Sequence, residues 1–434
     1  MASFVSGPVD PEVQRRGDES LFEVFASARG LADPNPFYRT LREEAPVHIS
    51  GFGGTVFSRY ADCRAILRDN RFGNGPGGGR SDRSFGSGDE AAFAYRRAQE
   101  EARSGEPMSM LRLDPPDHTR QRSLVSRAFT PRRVERLRPR IAELVEERLD
   151  ALADAGTGDA MTLLAEPLPV SVISEMLGVP QSDWPEIRDL VTDLVQSLEP
   201  SASVEELKLS DAAAEQLWAY FRQLIAARRA DPQDDLLTGL IQARDDGSDP
   251  EHTGEPMLSE GEILAVANLL FAAGAETTTN LIGNGLNALF NHPDQLDALW
   301  SDPELVPTAV DEILRFDSPV QVDGRMCLEE AEVFGVRFEP GDRLLTLLGA
   351  ANRDPEVFED PDGFDVTRRG EPVMSFASGI HYCLGANLAK VEGQEVFAGL
   401  IRRFGRIEPA GDRPYRKRLV LRGLASCPVT VTAR

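Results

Sequence analysis

The chain has 434 residues, 71 of them acidic and 47 basic, which leaves a formal charge of −24. That excess repels phosphate backbones and anionic lipid, so nucleic acid and acidic membrane surfaces are excluded as partners of the whole molecule. Four scattered cysteines (Cys63, Cys327, Cys383, Cys427) show no paired spacing, which excludes a disulfide scaffold and points to a reducing compartment.

The first twenty residues are polar and acidic, without the basic and apolar regions of a secretory leader. The longest apolar run, Ile263 to Ala275, holds Asn268 and falls short of the roughly 20 residues a membrane span needs. The expectation is a cytoplasmic protein with no membrane span. In chain order, Ala32-Asp33-Pro34-Asn35-Pro36 opens a short helix that runs to about Glu44. Val47 to Ser58 then alternates with glycines as a hairpin does. Gly73 to Gly105 reads as a long loop with at most a helical turn near Ala91 to Glu101. Its Gly75-Pro76-Gly77-Gly78-Gly79 is not a phosphate loop, because no lysine and hydroxyl residue follow. Long loops of this kind often cover binding sites.

Asp114-Pro115-Pro116 leads into a helix on which His118 and Arg122, four apart, share one face and can grip one anion; a solvated face is the plainer alternative. From Asp117 to about Arg244 the pattern is amphipathic helix, broken near Pro180, Pro200 and Pro232. Between Asp117 and Arg140, eight arginines stand against two acids, a basic stretch in an acidic chain. Ser259-Glu260-Gly261-Glu262 is a capping box with no proline after it until Pro293. It predicts a helix of roughly 30 residues and 45–50 Å, enough to cross a domain.

Inside that helix lies Ala273-Gly274-Ala275-Glu276-Thr277-Thr278. A mid-helix glycine costs about 1 kcal/mol relative to alanine, and both threonines can bond back to carbonyls one turn earlier. Either the ladder loosens into a groove beside an acid and a hydroxyl, or this is a plain buried helix with a glycine contact. Glu312 and Arg315 sit three apart on one helical face, a commonplace pair taken alone. Val333 to Leu347 alternates like strands around Pro340-Gly341, and Leu419 to Thr432 ends the chain as strands around a turn. No linker or internal repeat interrupts this order.

The densest signal is Phe376-Ala377-Ser378-Gly379-Ile380-His381-Tyr382-Cys383-Leu384-Gly385, followed at once by a helix-like run. The two glycines permit turns and close backbone approach. The helix start directs amide N–H groups at the sulfur. The expectation is a thiolate at neutral pH that serves as metal ligand or nucleophile; a small packed cysteine is the alternative.

Taken together and in this order, these motifs resemble the cytochrome P450 superfamily, in its soluble bacterial branch, from about Asp33 to Thr432. Asp114-Pro115-Pro116-Asp117-His118-Thr119-Arg120, Ala351-Asn352-Arg353-Asp354-Pro355 and Phe364-Asp365-Val366-Thr367-Arg368 add connecting segments typical of the family. Ala377 departs from it, standing where glycine is usual.

The resemblance implies a mainly α fold with small antiparallel β-sheets and haem b (iron protoporphyrin IX) between a long central helix and the cysteine loop. It implies one catalytic domain over 1–434, a partly flexible segment 1–30 and no fused reductase. Cys383 would be the thiolate axial ligand of the haem iron, tuned by amides near Leu384 and Gly385, with Phe376 beside it and Gly379 and Gly385 shaping the loop. His118, Arg122, Arg325 and His381 would pair with the propionates. Glu276 and Thr277 would deliver protons during oxygen activation. Glu312, Arg315 and Arg368 would form a buried ion-pair triad, a folding element rather than a catalytic one. Pocket walls would come from residues 73–110, Leu269, Ala272, Ala273, Val320 to Val322, and Leu424, Ala425 and Ser426.

The implied activity is a haem-thiolate monooxygenase. It would use O2 and two electrons to hydroxylate or epoxidise a lipophilic small molecule. Electrons would come from NAD(P)H through a reductase and an acidic ferredoxin drawn to the basic stretch, and the enzyme would be a monomer. A peroxide-driven peroxygenase, a non-catalytic haem-binding sensor and a cysteine nucleophile paired with His381 are the alternatives. Substrate identity lies beyond the residue pattern.

Overall fold

The apolar run lies within a helix of 32 residues, Glu260–Asn291, around which the helical body is packed. The computed structural model describes residues 4–5, 10–51, 53–74, 89–103, 105–127, 129–244 and 257–434. The helix starts where the capping box requires. Ser259 Oγ accepts the Glu262 N–H at 3.2 Å and the Glu262 carboxylate accepts the Ser259 N–H at 2.8 Å. Apolar on almost every face, it is buried on almost every face. Helices Pro167–Met176, Trp184–Leu194, Val204–Ala230, Val306–Phe316 and Ala386–Arg403 pack against it. The arginine-rich helix Pro131–Ala155 lies along Ala386–Arg403, the helix that follows the cysteine loop.

The β structure is small and peripheral. The expected hairpin forms from Val47–Ile49 and Thr55–Phe57, turning over Gly53 and Gly54 at positive φ. It joins a five-stranded sheet in the order Val47–Ile49, Thr55–Phe57, Arg343–Leu347, Val322–Cys327, Phe72–Gly73. Thr55–Phe57 and Arg343–Leu347 run parallel, the one parallel pairing among the described residues. A parallel pair needs a crossover, and here most of the helical body supplies it. The stretch 333–347 does hold two strands, but they part company. Val336–Phe338 pairs with Ala331–Val333 in one sheet, while Arg343–Leu347 belongs to the other. At the C-terminus Pro428–Ala433 pairs with Phe404–Pro409 and Thr157–Asp159.

Two stretches differ from the sequence-based picture. Most of the segment 1–30, expected to be partly flexible, lies in helices Pro11–Ala26 and Ala28–Ala32. Leu21, Val24 and Phe25 bury there with Tyr38 and Leu41. The supposed loop turn is a 13-residue helix, Glu90–Ala102, capped by the Asp89 carboxylate on the N–H groups of Ala91 and Ala92. Alanine-rich sequence favours the helix, and Ala92 packs with Ala202 and Leu207. The glycine run 75–79 lies outside the described residues. No helix among the described residues is long and apolar enough to cross a membrane.

Candidate active site

The cysteine loop is held by short-range backbone bonds. Ala377 donates to Met374 at 2.8 Å, Cys383 to Phe376 at 3.0 Å and Tyr382 to Gly379 at 3.1 Å. Gly379 is required twice over. Its φ is +75°, and a Cβ there would lie 2.0 Å from the Leu67 carbonyl of helix Tyr60–Arg68. Gly385 is different: its φ is −86° and a Cβ would meet no protein atom within 4 Å, so open space adjoins it. Cys383 is exposed by area, yet burial is what most strongly shifts its thiol. Both hold only for a group on the wall of a recess. The shift is upward, opposed by the amides of Gly385 and Ala386 and by Arg122. The helix-start amides do favour the ionised sulfur, as expected; burial opposes them, and a bound metal cation would act with the amides. The amides involved are also one residue further along than expected.

Beside the loop the structure brings together all four candidate anion-binding side chains. His118 and His381 stack with ring centroids 4.3 Å apart. Arg122, on the same helix (Asp117–Ser126) as His118, donates to the Tyr382 carbonyl next to the cysteine. Arg325 reaches in from strand Val322–Cys327, its Nη1 shared among Asn74 (2.9 Å), the Gly324 carbonyl (2.8 Å) and Asp323. Both ring nitrogens of His118, Nε2 of His381 and Nη2 of Arg325 are buried without a hydrogen-bond partner among the described residues. Burial and then Arg122 lower His118 to about 4, while burial, His118, Arg325 and Arg122 lower His381 to about 3. In this setting each imidazole favours its neutral form, which still carries one N–H donor. Orphaned buried nitrogens at this density are uncommon. A dianion set among them would satisfy them, and the open space beside Gly385 would take its flat body. The residues present fit a haem.

The central helix contributes one open stripe. Leu269, Ala272 and Thr277 are half-buried and Ala273 is exposed, at spacings that put all four on one face. The helix stays α throughout, so the opening comes from small side chains rather than the loosened ladder considered above. Gly274 simply lets Ile173 approach. Thr277 does bond back, Oγ1 donating to Ala273 at 2.8 Å, which leaves its lone pairs to accept. Glu276 turns off the stripe: it is buried and paired with Arg416, with Arg418 at 4.0 Å. Arg416 also pairs with Glu166 at 2.8 Å. The sequence reading missed both arginines. The run Arg413 to Arg418, four cations in an acidic chain, was the signal that could have found them.

Below the loop the triad closes. Glu312 takes Arg315 Nε at 2.7 Å and Nη2 at 2.8 Å, and Arg368 Nε at 3.1 Å. Arg315 spends its remaining N–H groups on the carbonyls of Asn352, Pro361 and Gly363. Asn352 in turn accepts the Met374 N–H at 2.6 Å and donates to Ser375 Oγ at 2.8 Å, so the triad braces the segment entering the cysteine loop. Of the expected pocket walls, Val320 is half-buried and Ala425 exposed, but Val322 is nearly and Leu424 wholly enclosed. The accessible neighbour of Val320 is instead Val420, whose carbonyl accepts the Gln321 N–H at 3.1 Å. Residues 419–427 form bends and isolated bridges rather than a strand, so no regular alternation marks which side chains are accessible. Residues 75–88 of the expected loop wall lie outside the described residues.

Comparison with known proteins agrees with this geometry. The family model described as Cytochrome P450 matches residues 85–306 and 300–422. Cytochrome P450 107B1 of Saccharopolyspora erythraea is 40% identical over 404 residues, covering 90% of this chain and 93% of that protein. The 6-deoxyerythronolide B hydroxylase of the same organism is 37% identical over 399 residues, 90% of this chain and 94% of its own. Among solved structures, P450BioI in complex with hexadec-9Z-enoic acid ligated acyl carrier protein superposes with a TM-score of 0.82 at 35% identity. That match covers 94% of this chain and all of the other.

Proposed function

The chain belongs to the cytochrome P450 family, and within it we propose that this P450 monooxygenase inserts one oxygen atom into a C–H or C=C bond of a lipophilic small molecule. The family uses haem and dioxygen, and haem b bound through a thiolate supplies the oxygen activation. Cys383 would hold the haem iron as its thiolate, the metal's charge offsetting the cost of burial. The amides of Gly385 and Ala386 donate toward the sulfur, and Phe376 packs beside it. His118, Arg122, Arg325 and His381 hold the propionates, which is where their unpartnered nitrogens find acceptors.

Thr277 offers its hydroxyl oxygen to an ordered water on the open stripe. Glu276, linked through Arg416 to Glu166, passes protons inward to that water. Leu269, Ala272, Ala273, Val320 and Val420 make an apolar wall suited to a lipophilic substrate. A hydroxylase of 6-deoxyerythronolide B and a neighbour holding a hexadecenoyl group support that class. Electrons reach the site from NAD(P)H through a reductase and an acidic ferredoxin. Arg132, Arg133 and Arg136 steer the ferredoxin, and the chain acts as a single domain and a monomer.

The observation that carries this reading is Cys383 at a recess beside four buried, unpartnered nitrogens of His118, His381 and Arg325. The reduced carbonyl adduct of the purified protein should show the red-shifted Soret band of thiolate-ligated haem, and Cys383→Ser should abolish that band. A protein that purifies without haem overturns the reading. Turnover with a ferredoxin system but not with peroxide sets it apart from the peroxygenase alternative.

A further inference from the structure

The segment joining helices Trp184–Leu194 and Val204–Ala230 passes through a turn, Val195–Leu198, and reaches Glu199. Both helices pack on the central helix, so the segment lies over the body that carries the open stripe. Glu199 is 5% exposed, and its carboxylate takes three successive backbone N–H groups. Oε2 accepts from Leu419 at 2.9 Å and Val420 at 3.2 Å, and Oε1 from Leu421 at 3.1 Å. Three consecutive amides cannot point one way in an extended strand. Residues 419–421 are therefore wrapped as a nest around the carboxylate. The same three residues are tied on their other side to the body, through the Gln321–Val420 bond and the Val320–Leu421 bridge.

A second cover is fastened to the first. Arg96 of helix Glu90–Ala102 donates to the carbonyls of Ser197 and Glu199, each at 2.7 Å. Tyr95 and Arg103 of that helix both hold Asp211, at 2.7 and 2.9 Å. Ala92 packs with Ala202 and Leu207 beneath them. Two segments far apart in sequence are thus joined to each other, and the Glu199 carboxylate ties them beside Val320 and Val420.

We propose that Glu199 is the lock on the substrate pocket, a specificity-determining residue whose release from the 419–421 amides sets the size limit and rate of substrate admission. The proposal rests on the reading of Leu269, Ala273, Val320 and Val420 as pocket wall. Glu199→Ala leaves the nest without its acceptor, and Glu199→Gln keeps the volume but offers one oxygen in place of two. Hydrogen exchange on the full-length protein should show the amides of Leu419, Val420 and Leu421 exchanging about tenfold faster in the alanine variant, with glutamine between it and wild type. On the haem-loaded enzyme, stopped-flow binding should be about tenfold faster for a bulky triaryl imidazole, while plain imidazole binds as in wild type.

Unchanged exchange at the three amides overturns the lock. So does faster exchange with unchanged binding of the bulky azole, since Glu199 is then only a structural brace. If the alanine variant does not fold, the glutamine variant carries both measurements. Wild-type protein that gives no azole-induced Soret shift overturns the haem reading, an outcome distinct from a failure in exchange.

Discussion

Ala377 sits at φ +57° and ψ −154°, a conformation that suits glycine and strains any residue with a Cβ. The sequence showed the departure; only the coordinates show that it falls on a left-handed position at the start of the cysteine loop. Ala377→Gly should raise stability by about 1 kcal/mol, the relief of strain exceeding the added freedom of the unfolded chain. A higher denaturant midpoint with an unchanged carbonyl-adduct spectrum would bear this out; a lower midpoint would refute it. Glu276 teaches the opposite lesson. Its place beside Thr277 was plain from the motif, but its partner Arg416 lies 140 positions away. Nothing local to either residue pairs them.

At the scale of the element, the ion-pair triad turns a weak sequence signal into a strong structural one. A surface pair at i,i+3 is worth only ~0.2–0.5 kcal/mol. Here both Glu312 and Arg315 side chains are 1% exposed, and all five Arg315 donors are used. Glu312→Gln should cost about 3–5 kcal/mol, because it leaves Arg315 and Arg368 charged and short of their counter-charge. Urea unfolding followed by far-ultraviolet circular dichroism measures it, and a loss under about 1 kcal/mol would mean that the three carbonyls alone hold Arg315.

Elements differed in how legible they were. The central helix announced both its start and its length through Ser259, Glu262 and the missing proline. Helix Glu90–Ala102 did not, because its flanks are glycine- and serine-rich and its stability comes from Ala202, Leu207 and Asp211. The strands of two or three residues were legible only where a turn marked them. Of the candidate site, the cysteine loop and the His118–Arg122 face could be read directly, since each is set by spacing within one segment. The accessibility of Val420 could not, because it depends on the distant segment around Val320 and Gln321 against which it lies.

For the whole molecule, the fate of the basic stretch matters most. Five of its eight arginines are committed. Arg120 goes inward to Glu262, Arg122 to Tyr382 and Arg127 to the Arg244 carbonyl, while Arg138 and Arg140 pair with glutamates. Arg132, Arg133 and Arg136 are exposed, with no ion pair among the described residues. They open the helix that Arg138 ties to Glu395 and Gln394, on the helix that follows Cys383. In a chain of charge −24, a free basic corner beside the cysteine loop favours an acidic electron donor. Reversing Arg132 and Arg133 to glutamate should slow reduction by a ferredoxin about tenfold at low salt and leave substrate affinity alone. The gap should narrow at high salt, where screening shortens to about 3 Å. Reduction that proceeds at the wild-type rate would refute the steering role.

The amino-acid order alone determined the family, the central helix and the cysteine that heads the site, because each is written in short spacings that the backbone reads locally. Tertiary structure alone decided which charges are spent and which are free. It buried the imidazoles of His118 and His381 and so lowered their pKa, gave Glu276 to Arg416, and gave Glu199 to three amides more than two hundred residues on. Burial and pairing set those outcomes. Both depend on which distant segments meet, and no local pattern carries that information.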